Sequence, residues 1–476
     1  MKRILFIAAF MAAMLCTTAA GQTARNKTTP DGRNESKKEN ARRGREAGKP
    51  DAASERRSTS PLVDHHQHLL SPAMAAAWSE KPLPAVELPA DLARLLVEIE
   101  KGWNDKAALA RLYTEDSLVV RSDRSWVRGR EAVSAHLAET FTQPYRITPV
   151  SYSLEGSTAH VAGYLTTGEG ETARHFGHVL VSLRKGTDAA WRVATETLTF
   201  PGLTRYKPVT ADDLVALMDA AGIQRALVLS VAYWYGSPRR QIENEYEKVR
   251  ADNDWTAGQA ARFPDRLRAF CGFSPLKDYA LEELERCAKH PHIKGLKFHF
   301  GNSRVDLRDA KHVEQVRRVF RAANERRLPI VIHLRSSAVP YGRQYAEIFL
   351  SQILPAAPDI PIQIAHLAGS GPGYEDPPSD EALTAFAEAI SAGNPHTKNL
   401  YFDITTLVNL DISVEKSKLL AGRIRQLGVK RVLYGSDLAV GGNLAPRQAW
   451  ALIRGLLPLS EQEFTIIANN VAPYMR

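Results

Sequence analysis

From residue 203 onward, short apolar runs and helical stretches take turns, and this alternation restricts the fold more than any other feature of the chain. The apolar runs cover residues 226–231, 267–273, 293–300, 329–333, 361–366, 400–403 and 432–437. Helical patterns separate them at 211–220, 242–263, 281–289, 313–326, 382–390 and 416–427. Strands that are apolar nearly throughout, rather than at every second residue, are buried on both faces, as in a parallel sheet flanked by helices. An eighth run, residues 62–64, lies far upstream. Eight strand–helix units indicate an α/β fold, a (β/α)8 TIM barrel. No glycine-rich phosphate loop follows any run, which counts against the alternative, a doubly wound open sheet.

Residues 85–202 interrupt the barrel between its first strand and its first helix. The segment opens with an amphipathic helix over 88–103, with Leu92, Leu95, Leu96 and Ile99 on one face. A short helix at 107–113 follows. Strand-like pieces with period-two alternation then cover 117–121, 147–154, 157–165, 175–183 and 191–199. Helices followed by strands predict a separate α+β domain. The order helix, "LYTEDSLVV", "VRGREAVSAHL", then long strands ending in "WRVATETLTF" resembles the SnoaL-like, ketosteroid-isomerase-like cone family.

The first 60 residues hold 13 Lys/Arg against 6 Asp/Glu, so most of the net charge of +9 sits outside the folded part. A nucleic-acid partner, which needs a basic face on the fold itself, is not expected. Residues 1–21 read as a signal peptide: Lys2 and Arg3, a twelve-residue apolar run at 4–15, then small residues around Ala20. Lipidation at Cys16 is the competing reading. Residues 22–60 lack aromatics and nearly all aliphatics, the composition of a basic, disordered linker. No later run is long enough to span a membrane, so the expected location is periplasmic or secreted. Cys271 and Cys287 are too few for a disulfide framework and are expected as two separately buried thiols, with one bridge as the alternative.

The chemistry concentrates in "LVDHHQHLL". Asp64, His66 and His68 alternate, so on a strand they leave by one face. Two imidazoles at i and i+2 can grip one divalent cation such as zinc, manganese or iron. His333 closes "LPIVIH", His366 closes "IPIQIAH" and Asp437 closes "RVLYGSD". Each is a polar residue at the carboxyl end of an apolar strand, where barrel enzymes assemble their sites. Three histidines and an aspartate satisfy a catalytic metal and leave room for water.

This pattern resembles the amidohydrolase superfamily, in its ACMSD-like branch of metal-dependent hydrolases, through Asp64-x-His66-x-His68, His333, "AHLAG" with His366, and "YGSD" with Asp437. The ending "IIANNVAPYM" is similar to that family's last helix. The resemblance implies that His66, His68, His333 and Asp437 hold a divalent metal, zinc foremost and one per chain. It places His366 at or beside that metal. Lys297 and His299, in "IKGLKFHF", share a face; binuclear relatives carry a carboxylated Lys on this strand, but contact with substrate is the favoured role here. Arg335 could fork onto an anionic substrate group. Tyr233, Trp234 and Tyr235 could line the pocket, and Asp403 could orient a ligand or cap a helix. His136, His160, His175 and His178 show no metal spacing.

The expectation is a metal-dependent hydrolase of a small lactone, ester or amide. Asp437 would take a proton from water and return it to the leaving group, and His366 would steady the oxyanion. A metal-dependent decarboxylase and a non-catalytic binding protein with a relic site are the rivals. The inserted domain is expected to rise from the catalytic face and to act in homodimerisation or as a lid.

Overall fold

The computed structural model describes residues 60–121, 124–141, 143–168, 173–200, 202–336, 339–371, 373–374, 377–437 and 444–476. The expected signal peptide and all but the last residue of the expected linker lie outside the described residues.

The first elements of the described residues are strand β1 (Val63–Gln67) and helix α1 (Pro72–Trp78). It then builds the inserted unit: helices α2 (Ala90–Lys101) and α3 (Lys106–Leu112), strands β2 (Tyr113–Val120) and β3 (Trp126–Arg128), helix α4 (Arg130–Thr140), and strands β4 (Arg146–Glu155), β5 (Thr158–Thr167), β6 (Arg174–Lys185) and β7 (Trp191–Thr199). Helix α5 (Ala211–Ala221) returns to the barrel, held at its start by a capping box between Thr210 and Asp213. Strand β8 (Arg225–Leu229), helix α6 (Glu245–Ala261), strand β9 (Leu267–Gly272) and helix α7 (Ala280–Lys289) come next. Strands β10 (Ile293–His299), β11 (Ile330–His333), β12 (Ile362–Ile364), β13 (Leu400–Asp403) and β14 (Val432–Leu433) complete the set.

One sheet is parallel and eight-stranded, in the order β1-β8-β9-β10-β11-β12-β13-β14. It closes because the chain after β14 returns to β1: His65 donates its backbone N–H to Tyr434 O at 2.9 Å, and Asp437 donates to His66 O at 2.8 Å. The close approach depends on Gly435, where a Cβ would meet Thr405 Oγ1 at 2.3 Å and His66 Cβ at 2.7 Å. Val63, Leu227, Leu229, Phe270 and Val331 fill the interior, with Met475 packed among them. The larger core lies between the strands and the surrounding helices.

The second sheet is mixed, in the order β3-β2-β7-β6-β5-β4, and covers its own core from α2, α3 and α4. Its two connections run side by side. Leu70 and Val209 exchange backbone hydrogen bonds, Glu80 N–H donates to Thr204 O at 2.9 Å, and Tyr206 N–H donates to Ser79 Oγ at 2.9 Å. This neck begins two residues after His68, so the insertion leaves from the carboxyl end of β1, as expected.

The cysteines depart from the favoured expectation. Cys271 on β9 and Cys287 on α7 form a disulfide, with Cα atoms 6.3 Å apart. The packing of α7 on its own strand brings the two side chains together, a contact that strand and helix patterns do not contain.

Candidate metal centre

The carboxyl ends of four strands converge. β1 supplies His66, with His68 just beyond it, β10 supplies Lys297 and His299, β11 supplies His333 and β13 supplies Asp403. His366 and Asp437 were expected to close strands, yet β12 ends at Ile364 and β14 at Leu433. Both residues stand in left-handed turns, with φ of 54° and 56°, and Leu367 and Ala368 continue the first turn with positive φ. Non-glycine residues in this region are strained and persist where their surroundings over-determine them. Here the hydrogen bonds of His366 N–H to Asp403 Oδ1 (2.9 Å) and of Asp437 N–H to His66 O hold them.

Each of three imidazoles is oriented through its Nδ1. His66 donates Nδ1–H to Asp403 Oδ2 at 3.0 Å, His68 donates Nδ1–H to Leu229 O at 2.6 Å, and His366 donates Nδ1–H to Thr405 O at 3.0 Å. That fixes the tautomer and turns the Nε2 lone pair inward, the arrangement of metal-ligating histidines. His68 Nε2 and His66 Nε2 lie 3.3 and 3.7 Å from Asp437 Oδ1. Two triads bring their ligand atoms within 4.8 Å of one another, His66–His68–Asp437 and His66–His366–Asp403.

His333 stands at the edge of this cluster and belongs to neither triad. Its ring centroid is 5.2 Å from that of His366. Its Nε2 donates to Ser370 O at 3.2 Å, and its Nδ1 is buried without a hydrogen-bond partner. A buried nitrogen lone pair left bare carries a cost that a cation would remove.

The electrostatics suit positive charge. Burial and the Lys297 ammonium lower His66 to about 3, and burial with His366 lowers His333 to about 3, so both rings are neutral donors of lone pairs. Burial opposes ionisation of Asp437, but the hydrogen bond from His68 and the field of His66 outweigh it, and the carboxyl is held well below the usual range. Asp403 behaves alike, through His66. Lys297 is buried, lowered by desolvation to about 8, and its Nζ lies 3.1 Å from His66 Nε2. The site therefore already places a cationic group on the lone pair that a metal would take. The donor set fits a divalent ion.

Asp64 does not join the cluster, although alternation with His66 and His68 suggested a common face. The β1–β8 register shifts between Asp64 and Gln67. The carboxylate accepts from Gln67 Nε2, from Ser436 Oγ and from the Ser436 and His66 backbone. It ties strand one to the turn carrying Asp437. The His299 ring stacks on His333 with centroids 3.9 Å apart, and its Nδ1 accepts from Asn302 N–H. Arg335 is half-buried over the Tyr341 ring, with Nη1 3.4 Å from Ser379 Oγ. Gln363 went unnoticed in the sequence; its Nε2 donates to Asp403 Oδ2 at 2.6 Å. The one signal for it was a polar residue inside an apolar strand.

The amidohydrolase family profile matches residues 204–470, more than half of the chain. The chain belongs to the amidohydrolase family. Within it, residues 101–200 match the nuclear transport factor 2 (NTF2) domain, so this amidohydrolase carries an inserted SnoaL-like unit. No curated protein matches it in sequence. Among solved structures it is similar to an amidohydrolase II (16% identity, TM-score 0.41, covering 57% of this chain and 90% of that one). It is also similar to 5-carboxyvanillate decarboxylase from Sphingomonas paucimobilis (19%, TM-score 0.37, 53% and 79%). A third is a dihydroxybenzoic acid decarboxylase from Polaromonas sp. JS666 with bound manganese and an inhibitor, 2-nitroresorcinol (18%, TM-score 0.37, 55% and 84%).

Proposed function

We propose that this amidohydrolase is an exported, metal-dependent hydrolase of a small lactone, ester or amide, with one zinc ion held by His66, His68, His333 and Asp437 and His366 beside it. The observation that carries this reading is the outward pinning of three Nδ1–H groups, which leaves the Nε2 lone pairs of His66, His68 and His366 facing inward. A bound divalent ion supplies Lewis acidity and a water of lowered pKa. Asp437, 15% exposed and held ionised, accepts the proton of the attacking water and returns it to the leaving group. His366 gives its Nδ1–H to Thr405, so in neutral form it presents a lone pair and serves as ligand or base. It steadies an oxyanion only as the imidazolium. Lys297 neutralises part of the charge of Asp403 and Asp437.

Arg335 supports a second reading, decarboxylation, because its guanidinium at the barrel mouth suits a carboxylate. Metal analysis followed by a screen of lactones, esters, amides and aryl carboxylates tests both. Carbon dioxide release would replace hydrolysis with decarboxylation, and metal-free, inactive protein would defeat both. The pattern of residues 1–21 supports export.

We also propose a homodimer through the outer face of the inserted sheet. Trp126 (65% exposed) and Leu180 (48% exposed) stand on that face. Grooves of about 430 Å³ beside Leu118 and Trp126, and about 280 Å³ beside Ala162 and Leu180, support the idea.

A further inference from the structure

Tyr233 sits in the short turn Ala232–Trp234 that follows β8, at the carboxyl end of the barrel. Its ring packs against the His299 ring with centroids 5.1 Å apart, and His299 in turn stacks on His333. The residue is 9% exposed. Among the described residues no hydrogen bond engages its hydroxyl, and that oxygen does not number among the sealed polar atoms, so the small accessible part of the side chain includes it. Burial, then the charges of Asp437 and Asp252, push the phenol well above its ordinary value, so it stays a donor.

The turn is rigidly built. Asn302 Nδ2 donates to Tyr233 O at 2.6 Å, while the Asn302 backbone N–H donates to His299 Nδ1 at 3.1 Å. One residue therefore holds the backbone of Tyr233 and the ring of His299. Asn302 is fixed in its own right by Ser237 Oγ, which donates to its carbonyl at 3.0 Å. Gly272 lets the turn settle: a Cβ there would meet Ser230 O at 2.4 Å and the Tyr233 ring at 3.4 Å. A phenol on a turn held this firmly, with its ring against His299 and its hydroxyl unengaged among the described residues, is pre-organised to donate to an oxygen that gains charge during reaction. Such donors act without reorganisation at the moment of need, which is why their position matters more than their number.

Resting on the reading of the site as a metal-dependent carbonyl-processing centre, we infer that Tyr233 is a substrate-contacting residue whose hydroxyl donates a hydrogen bond to the carbonyl or carboxylate oxygen of the bound substrate. The test uses full-length, metal-loaded protein, benzohydroxamate as a carbonyl-analogue probe, and Tyr233→Phe, which keeps the ring on His299. Metal content is measured first. The expected result is unchanged metal content and thermal midpoint with a Kd for the probe weakened roughly 10-fold, the worth of one hydrogen bond to a charged oxygen. A Kd equal to wild type overturns the inference, as does metal-loaded wild type that binds no probe. Should the phenylalanine variant fail to fold, 3,5-difluorotyrosine at position 233, a stronger donor, is expected to tighten binding, and unchanged binding overturns the inference equally. Wild-type protein that takes up no metal would defeat the hydrolase reading itself, and this inference with it, through a different measurement.

Discussion

His66 gives its Nδ1 proton to Asp403 across 3.0 Å, and the other oxygen of the same carboxylate takes the backbone N–H of His366 at 2.9 Å. One fully buried aspartate on β13 thus aims an imidazole from β1 and anchors the strained turn after β12. Gln363 holds that aspartate from the next strand. The arrangement makes the ligand geometry a property of the closed barrel rather than of any single loop.

Asp403→Asn is the sharpest probe of this arrangement. The amide keeps the volume but cannot hold the His66 tautomer with the same strength. Loss of such outer partners costs about 10–100-fold in metal affinity. A competitive chelator titration should show this drop with little change in the thermal midpoint. Wild-type affinity in the variant would remove Asp403 from the metal centre.

Asp437→Asn addresses the proton transfer itself. Asp437 is held ionised by His68 and His66, and its backbone is secured independently by His66 O. The expected outcome is loss of turnover by at least about 100-fold, the usual contribution of a positioned general base, with cooperative unfolding preserved. Initial rates alongside circular dichroism melts decide it. Loss of folding alone would mark Asp437 as structural.

Much of this was legible in the sequence, for physical reasons that can be traced. The barrel announced itself because buried parallel strands must be apolar throughout, and the site because His333, His366 and Asp437 break that rule at strand ends. Asp64 misled, because a period of two assumes a regular strand, and β1 shifts register between Asp64 and Gln67. The left-handed turns at His366 and Asp437 and the Cys271–Cys287 bridge stayed hidden for a common reason. Each is set by what a neighbouring strand or helix brings near, and no local pattern encodes that.

The bridge carries a stability prediction. It joins residues 16 apart in sequence. In the chain-entropy account, closing a loop of that size restricts the unfolded state by about 3 kcal/mol. Nearby, buried Glu283 on α7 accepts from Asn253 Nδ2 of α6 at 2.8 Å, and Asn253 exchanges hydrogen bonds with the Gly272 backbone on β9, which ties α7 to β9 through α6 even without the bridge. The Cys271→Ser/Cys287→Ser double variant should therefore still fold, with its denaturant midpoint lowered to match a loss of about 2–3 kcal/mol. An unchanged midpoint would mean that the thiols are not bridged in the purified protein.

Glu196 gives the inserted domain a pH signature. Burial raises its carboxyl to about 7, against an opposing hydrogen bond from Tyr113. A raised folded value means that the folded state holds the proton more tightly than the unfolded state. The associated stability is present in full below the unfolded value near pH 4.5 and is lost as pH rises through about 7. Glu196→Gln keeps an acceptor for Tyr113 and removes the titration. Melting curves from pH 5 to 8 should fall with pH for the wild type and flatten for the variant. Parallel curves would show that Glu196 does not titrate in this window.

The outer face of the inserted sheet decides the oligomeric proposal. Along β6, Val179, Val181 and Leu183 point into the domain core, so Leu180 between them points away from it. Leu180 pairs across strands with Ala162 and Thr197, which places an apolar strip on the same outer side. Trp126 extends that side on β3, opposite Val120. Exposed apolar surface of this kind is a frequent mark of an interface. Leu180→Arg would place a charge at the centre of a two-fold contact, where each copy meets its mate and like charges repel. Sedimentation velocity should show a dimer for the wild type and a shift toward monomer for the variant, by roughly 10-fold or more in Kd, since one lost core contact and one buried charge together exceed about 1.4 kcal/mol. The metal centre lies on the separate barrel sheet, so metal content should not change. A wild-type monomer, or a dimer indifferent to the substitution, would move the interface elsewhere and leave the lid role, with the neck at Leu70 and Val209 beside His68, as the remaining task for this domain.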